Sequence, residues 1–201
     1  VLSRGTAVAL PVGVSSRSSR PEADAGFTLL QIVVVLGLIM AVLGIGMGGL
    51  NNALDTVRGD ASLNIVLWQL KLARETAINQ RRSVEVRFTA PNFISVVRHD
   101  IPEGETLIST AVLENQTQFR LFTGLPDTPD NFGNDTALDF GGADTMMFNA
   151  DGQFTDDTGQ IINGTVFIGK SGAPLTARAL TVFGPTSTLR TYRWNGGAWG
   201  H

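Results

Sequence analysis

Residues 27–50 read FTLLQIVVVLGLIMAVLGIGMGGL and hold no ionisable side chain. At about 1.5 Å per residue, a helix of this length reaches across a hydrocarbon layer of about 30 Å. A helix buried in a globular domain would present a polar face, but only Thr28 and Gln31 interrupt the apolar surface here. The block therefore predicts a single membrane span over 27–50. Residues 1–26 are rich in Ser, Arg, Pro and Ala, with Arg4, Arg17 and Arg20 against Glu22 and Asp24. That weak positive excess favours a cytoplasmic N-terminus. A cleaved secretory signal would carry its small-residue cleavage site after the apolar stretch, whereas here the polar-to-apolar switch falls at Gly26-Phe27.

The rest of the composition narrows the chemistry. Lys+Arg 15 against Asp+Glu 18 gives a net charge of -3, so the chain is no general polycation. With Cys 0 and His 2 it offers no disulfide framework, no thiol nucleophile and no zinc-finger spacing. No nucleophile, base and orienting group assemble into a catalytic set, so no enzyme activity is expected.

The sequence AGFTLLQIVVVLGLI resembles the prepilin signature of type IV pilins and type II secretion pseudopilins. The resemblance implies cleavage by a prepilin peptidase after Gly26 and methylation of the new N-terminal Phe27. It also implies an assembly stem beginning Thr28, Leu29, Leu30 and Gln31. The family usually carries glutamate where this chain has Gln31. An amide accepts a hydrogen bond but cannot neutralise an ammonium in hydrocarbon, which points to a minor or tip position instead of an abundant subunit. The glycines Gly44, Gly46, Gly48 and Gly49 each cost a helix roughly 1 kcal/mol relative to alanine, so a local break is expected there.

Beyond Asn52 the pattern turns amphipathic, with Leu63, Leu67, Leu70, Ala73 and Ala77 on one face and polar Gln69, Lys71, Arg74 and Glu75 between them. This predicts a second helical half over 51–82 that lies on a sheet. The run LWQLKLARETAINQRRSVEVRF is similar to the GspH/FimT group, in which a helix with an Ala-Arg pair and a later Ala leads into the first strand. Ala73, Arg74 and Ala77 carry that match.

After Arg82 short β-rich runs follow, among them SVEVRFTA, FISVVRH, TLISTAVL, ALTVFG and TLRTYRW, separated by Gly, Pro and Asp clusters. Asp151-Gly152 predicts a two-residue hairpin turn with positive φ at both positions. The segment from Thr123 to Asp144 is acidic and rich in Gly and Pro, and is expected to be the most mobile loop. The fold class expected is α+β and pilin-like. It comprises a leader over 1–26, a transmembrane helix half over 27–50, an amphipathic half over 51–82, and a periplasmic antiparallel β domain over 83–201.

Charge is uneven. From Asp100 through Asp157 there are twelve acids and one base, while from Thr158 onward Lys170, Arg178, Arg190 and Arg193 meet no acid. Two readings stand: complementary faces for neighbouring subunits, or solvated surface.

Other motifs give way under their own spacing. Gly164 to Ser171 satisfies the phosphate-loop pattern, but TVFI is strand sequence and Gly172 with Pro174 blocks a following helix. Asn149, Asp151, Asp156 and Asp157 suggest a calcium loop without the EF-hand spacing. In TLRTYRWNGGAWGH, arginines among aromatics suit either DNA binding or a closing β-hairpin. Some FimT-like minor pilins bind DNA through C-terminal arginines. That resemblance implies Arg190 and Arg193 as contacts, with Arg178 and Lys170 auxiliary.

The expected function is thus a minor pilin or pseudopilin in the bacterial inner membrane, a subunit of a type II secretion pseudopilus or type IV pilus, with DNA uptake as the alternative. Expected partners are other pilins or pseudopilins, the prepilin peptidase, the membrane and, in the alternative, DNA. Neither a cofactor nor a small-molecule substrate is expected.

Overall fold

Thr28 opens the helix α1 (Leu29–Gln80): its carbonyl accepts from the Gln31 and Ile32 amides at 2.9 and 3.2 Å, and its Oγ1 from the Gln31 amide at 3.3 Å. A hydroxyl at this N-cap position gives the Gln31 amide a second acceptor beside the carbonyl. The computed structural model describes residues 28–201, apart from the side chains of 45–53 and 55. The expected leader and the Gly26-Phe27 cleavage point lie outside the described residues. The chain divides into two units, Val1–Gly44 and Ile45–His201.

In the first unit, every large apolar side chain from Leu29 to Leu43 is 48–80% exposed. Among the described residues no helix is long and apolar enough to cross a membrane. The expected span takes in Phe27 and residues 45–50, whose placement is not described in full.

The expected break at the glycines is not found: α1 is helical without interruption through Gly44, Gly46, Gly48 and Gly49. Glycine, unlike proline, keeps its amide and carbonyl in the helical ladder, so its propensity cost weakens the helix without opening it.

In the second unit α1 presents Leu63, Val66, Leu70, Ala73 and Ala77 as a buried stripe, while Leu67 is half-buried at its margin. The helix stops two residues short of the expected end. Arg81 takes a φ of 50°, and the Arg82 amide reaches back to the Ala77 carbonyl at 3.2 Å, the closing bond of a Schellman-type end.

Eleven strands follow: β1 (Val84–Thr89), β2 (Phe93–His99), β3 (Glu105–Val112), β4 (Thr117–Phe119), β5 (Leu138–Asp139), β6 (Met147–Phe148), β7 (Phe154–Thr155), β8 (Gly164–Lys170), β9 (Ala173–Phe183), β10 (Thr188–Trp194) and β11 (Trp199–Gly200). They form two sheets with antiparallel pairing, ordered β3-β2-β1-β6-β7 and β11-β10-β9-β8-β4, with β5 also on β8. The fold is therefore α+β. Alternation sorts the faces: Val84 and Val86 of β1, Val166 and Ile168 of β8, and Leu180 and Val182 of β9 join the helix stripe in one core. Phe88, Phe119, Phe140, Phe148 and Phe154 extend it as a chain of rings with centroids 5.1–5.9 Å apart.

Two local expectations are corrected. The hairpin between β6 and β7 has a three-residue loop, 150–152, in which only Gly152 has positive φ, at 77°. The Gly152 amide bonds the Asn149 carbonyl at 2.9 Å, and Asn149 Oδ1 accepts from the Asp151 and Gln153 amides. The side chain of Asn149 thus does the work expected of a second positive φ.

The segment from Thr123 to Asp144 lies tied against the sheet. Asp127 accepts from the Thr128 and Gly133 amides, Trp199 Nε1 donates to the Pro126 carbonyl at 2.8 Å, and Leu138–Asp139 pairs with β8. The reason is the outer face of β8 to β10, where Phe167, Ala179 and Tyr192 are buried with Leu121 and Trp199 packed on them. Both faces of this sheet are apolar, so both need cover.

Candidate functional site

The C-terminal arginines are organised by two carboxylates that the sequence reading did not connect to them. The first is Asp60, on α1. Gly59 precedes it at a close crossing: a Cβ there would stand 3.0 Å from the Thr176 carbonyl and 3.4 Å from Arg178 Cζ. Glycine lets the helix approach β9, and Asp60 then receives Arg178 Nε on Oδ1 at 2.6 Å. The Arg178 guanidinium is completed by the Leu175, Ala177 and Thr56 carbonyls at 2.9–3.0 Å. Arg178 is fully buried. The expectation that it assists in contacting DNA is thereby corrected, because all three of its nitrogens are directed at this chain and none reaches the surface.

Register places Arg193 of β10 opposite Arg178 of β9, hence on the same face. Arg193 Nη2 donates to Asp60 Oδ2 at 2.6 Å. One carboxylate therefore joins two arginines to the helix.

Arg190 and Tyr192 point to the opposite, outer face, as their spacing from Arg193 predicts. There they meet the second carboxylate, Asp130, from the segment laid over this face. Tyr192 Oη donates to Asp130 Oδ2 at 2.9 Å, Thr181 Oγ1 to the same oxygen at 2.5 Å, and Arg190 Nη1 to Oδ1. Burial alone would raise the Asp130 carboxyl, but the hydrogen bonds from Thr181, Tyr192 and Arg190 outweigh it and hold the group below the usual range. For Tyr192, burial and then the Asp130 carboxylate push the phenol up. Lys170 ends β8 at the turn into β9, opposite Ala173.

The last strand closes as a hairpin. Asn195 Oδ1 accepts from the Gly197 and Ala198 amides at 2.9 and 2.8 Å, and Trp199 packs on Phe167 and Trp194. The aromatics of this segment belong to packing, the second of the two readings left open by its composition.

A further polar group lies on the outer face of β1 to β3. Among the described residues, Glu85, His99 and Glu105 bring ligand-type atoms within 4.8 Å of one another. Arg87 occupies the centre: it donates to both oxygens of Glu85 at 2.7 and 2.8 Å and to both of Glu105 at 2.9 and 2.5 Å. His99 Nε2 lies 2.9 Å from Glu85 Oε2. Burial would raise the Glu85 carboxyl, yet hydrogen bonds from Arg87 and His99 hold it low, and Glu105 followed by Glu85 raises Arg87. With a guanidinium on all four oxygens, this cluster is an ion-pair network closed by its own cation.

The calcium-like residues also serve the loops. Asp156 Oδ1 accepts from Thr158 Oγ1 and from the Thr158 and Gln160 amides at 2.7–2.9 Å. The phosphate-loop pattern falls on strand β8, as its sequence predicts.

Of the expected assembly stem, Thr28 caps α1 and Leu29 and Leu30 are exposed in its first turn beside exposed Gln31. Missed by sequence reasoning were Asp60, Asp130, and the Glu85–Arg87–Glu105 network. The alternation of Glu85 and Arg87 along β1 was a legible signal for the last; nothing local pairs Asp60 with an arginine 118 residues away.

No protein-family model and no curated protein matches the chain. The structure is similar to that of the minor pseudopilin EpsH from the type 2 secretion system of Vibrio cholerae, at 16% identity and a TM-score of 0.47, covering 68% of this chain and 97% of that one.

Proposed function

We propose that the chain is a minor pilin or pseudopilin of the GspH/FimT kind, a structural subunit that works by assembly and carries out no reaction. The observation that carries this reading is the bare apolar surface of α1 from Leu29 to Leu43, beginning at a capped Thr28 directly after the Gly26-Phe27 signature. Contiguous apolar surface of this extent needs a cover of lipid or of neighbouring helices. The two environments belong to successive stages: the inner membrane before assembly, and a filament of pilins or pseudopilins after it. The β domain lies on the periplasmic side, and a prepilin peptidase cuts after Gly26. Gln31, in place of the usual glutamate, restricts the subunit to a minor or tip position.

Mass spectrometry of the N-terminal peptide from a native membrane fraction tests the reading. N-methylated Phe27 is the expected result. An intact leader on the membrane-bound chain would make it an ordinary signal-anchored protein instead.

The DNA-binding alternative loses Arg178 and is left with Arg190, Arg193 and Lys170. Arg190 and Arg193 lie on opposite faces, each engaged by a carboxylate, so they do not form one basic strip.

A further inference from the structure

In front of Arg190 lies a cavity of about 330 Å³, lined by Pro129, Asp130, Phe132, Thr181, Phe183 and Thr188. Its parts differ in what they still offer. Asp130 is spent: its side chain is 8% exposed and its oxygens already accept from Thr181, Tyr192 and Arg190. Arg190 is not: its side chain is 57% exposed, and Asp130 fixes the guanidinium from one end. The remaining N–H groups of a fork held in this way suit a planar, two-oxygen acceptor. Beside it Phe132 and Phe183 stack at 6.2 Å with their planes 21° apart, and Phe183 is 42% exposed. An oriented cation next to an open aromatic wall selects for a carboxylate that carries an apolar group.

The surroundings decide how much negative charge the ligand brings. The covering segment from Thr123 to Asp144 holds Asp127, Asp130, Asp135, Asp139 and Asp144 and no base. A polyphosphate backbone approaching this surface is repelled along its length, whereas a single carboxylate meets the Arg190 guanidinium with one acid beside it, Asp130, whose oxygens are turned to Arg190, Thr181 and Tyr192. The outer edge of β10 is also open beside the cavity: β11 pairs only with Arg193 and Trp194, leaving Thr188 to Tyr192 with no strand partner on that side among the described residues. An extended chain end can line such an edge while its terminal carboxylate is captured.

The geometry points to a binding site for a carboxylate bearing an aromatic or large aliphatic group, as found at the C-terminus of an apolar-ended peptide or in a free aromatic acid. Binding at this site is independent of filament assembly and is read without it, so either can fail alone.

The test titrates the full chain, held in an uncharged detergent, with four probes. These are a short peptide ending in Ser-Gly-Phe with a free carboxylate, the same peptide amidated, 3-phenylpropionate, and a single-stranded DNA oligonucleotide. Calorimetry gives the affinities, and Arg190→Ala, Arg190→Lys and Arg193→Ala accompany the parent chain. The free-carboxylate peptide is expected to bind and to weaken with salt, and amidation to cost about tenfold or more. Arg190→Ala is expected to lose as much, Arg190→Lys less, and Arg193→Ala nothing. Equal affinity for 3-phenylpropionate assigns the site to free aromatic acids, and much tighter peptide binding assigns it to a chain end; both support it. Equal binding of free and amidated peptide, tighter binding of the oligonucleotide, or no binding by any probe overturns the inference. The amide comparison uses the parent chain alone, so it holds even if Arg190→Ala does not fold.

Discussion

The two halves of α1 share one backbone conformation and nothing else. From Leu29 to Leu43 the large apolar side chains are all exposed, whereas from Leu63 to Ala77 a stripe one side wide is buried under two sheets. The difference teaches that one continuous helix carries two kinds of surface. The second half has its partner within the chain: Lys71 and Glu75 face away, while Ser62, Gln69 and Thr76 are buried beside the apolar stripe. The first half has apolar residues all round, which suits a partner that surrounds it.

The sharpest way to break the comparison is to give the first half a charge. Val35→Asp is expected to abolish membrane retention in a cell fractionation, since a carboxylate at a helix centre costs roughly 2.5–3.5 kcal/mol on insertion. The β domain should keep its melting transition, because Val35 belongs to the other unit. Retention unchanged would count against the stem. Arg178→Ala attacks the second half instead: it strips Asp60 Oδ1 and three carbonyls of the Arg178 donor, leaving Asp60 to Arg193, and a loss of about 3 kcal/mol is expected in chemical denaturation. Leu70→Ala removes a fully buried side chain from the same stripe and should cost about 2–4 kcal/mol. Gly59→Leu should cost about 1–3 kcal/mol by pushing α1 off the Thr176 carbonyl, and a null result there would mean that the helix can shift.

The smallest expected effect is a pH dependence. Asp130 titrates below the usual range in the folded chain, so the unfolded chain binds the proton more readily and folding is favoured above the unfolded value, near 4. Asp130→Asn should therefore melt earlier than the parent at neutral pH. The gap should close as pH falls through the folded value of Asp130, because the parent then loses the same charge. A gap that persists in acid would assign the effect to packing of the covering segment.

How much of this was legible follows from the range of each interaction. FISVVRH and TLRTYRW match β2 and β10 residue for residue, because an alternating run bounded by turn residues specifies a strand locally. The stripe through Leu63, Leu70, Ala73 and Ala77 was legible for the same reason, and Val66 was missed because the period was counted through Leu67. The long acidic segment was misread as the most mobile loop. Its composition is that of a loop, but Asp130 and Pro126 find their partners on β10 and β11, some 60 to 70 residues on.

The candidate sites divide in the same way. The prepilin-like signature is contiguous, so it can be read without a fold. The charge asymmetry between residues 100–157 and 158–201 was also plain, and one of its contacts is internal, Asp130 with Arg190. What composition could not supply was the third participant, Asp60 on the helix, which collects Arg178 and Arg193.

By itself, then, the sequence determined the helix with its bare apolar first half, the strand runs and the absence of thiol chemistry, since each depends on neighbours within a few residues. The tertiary structure alone decided which arginines are buried, which face each one takes, and that the acidic segment covers a sheet. Those outcomes depend on strand register and on the helix crossing at Gly59, which bring together groups separated by tens of residues and which no local pattern encodes.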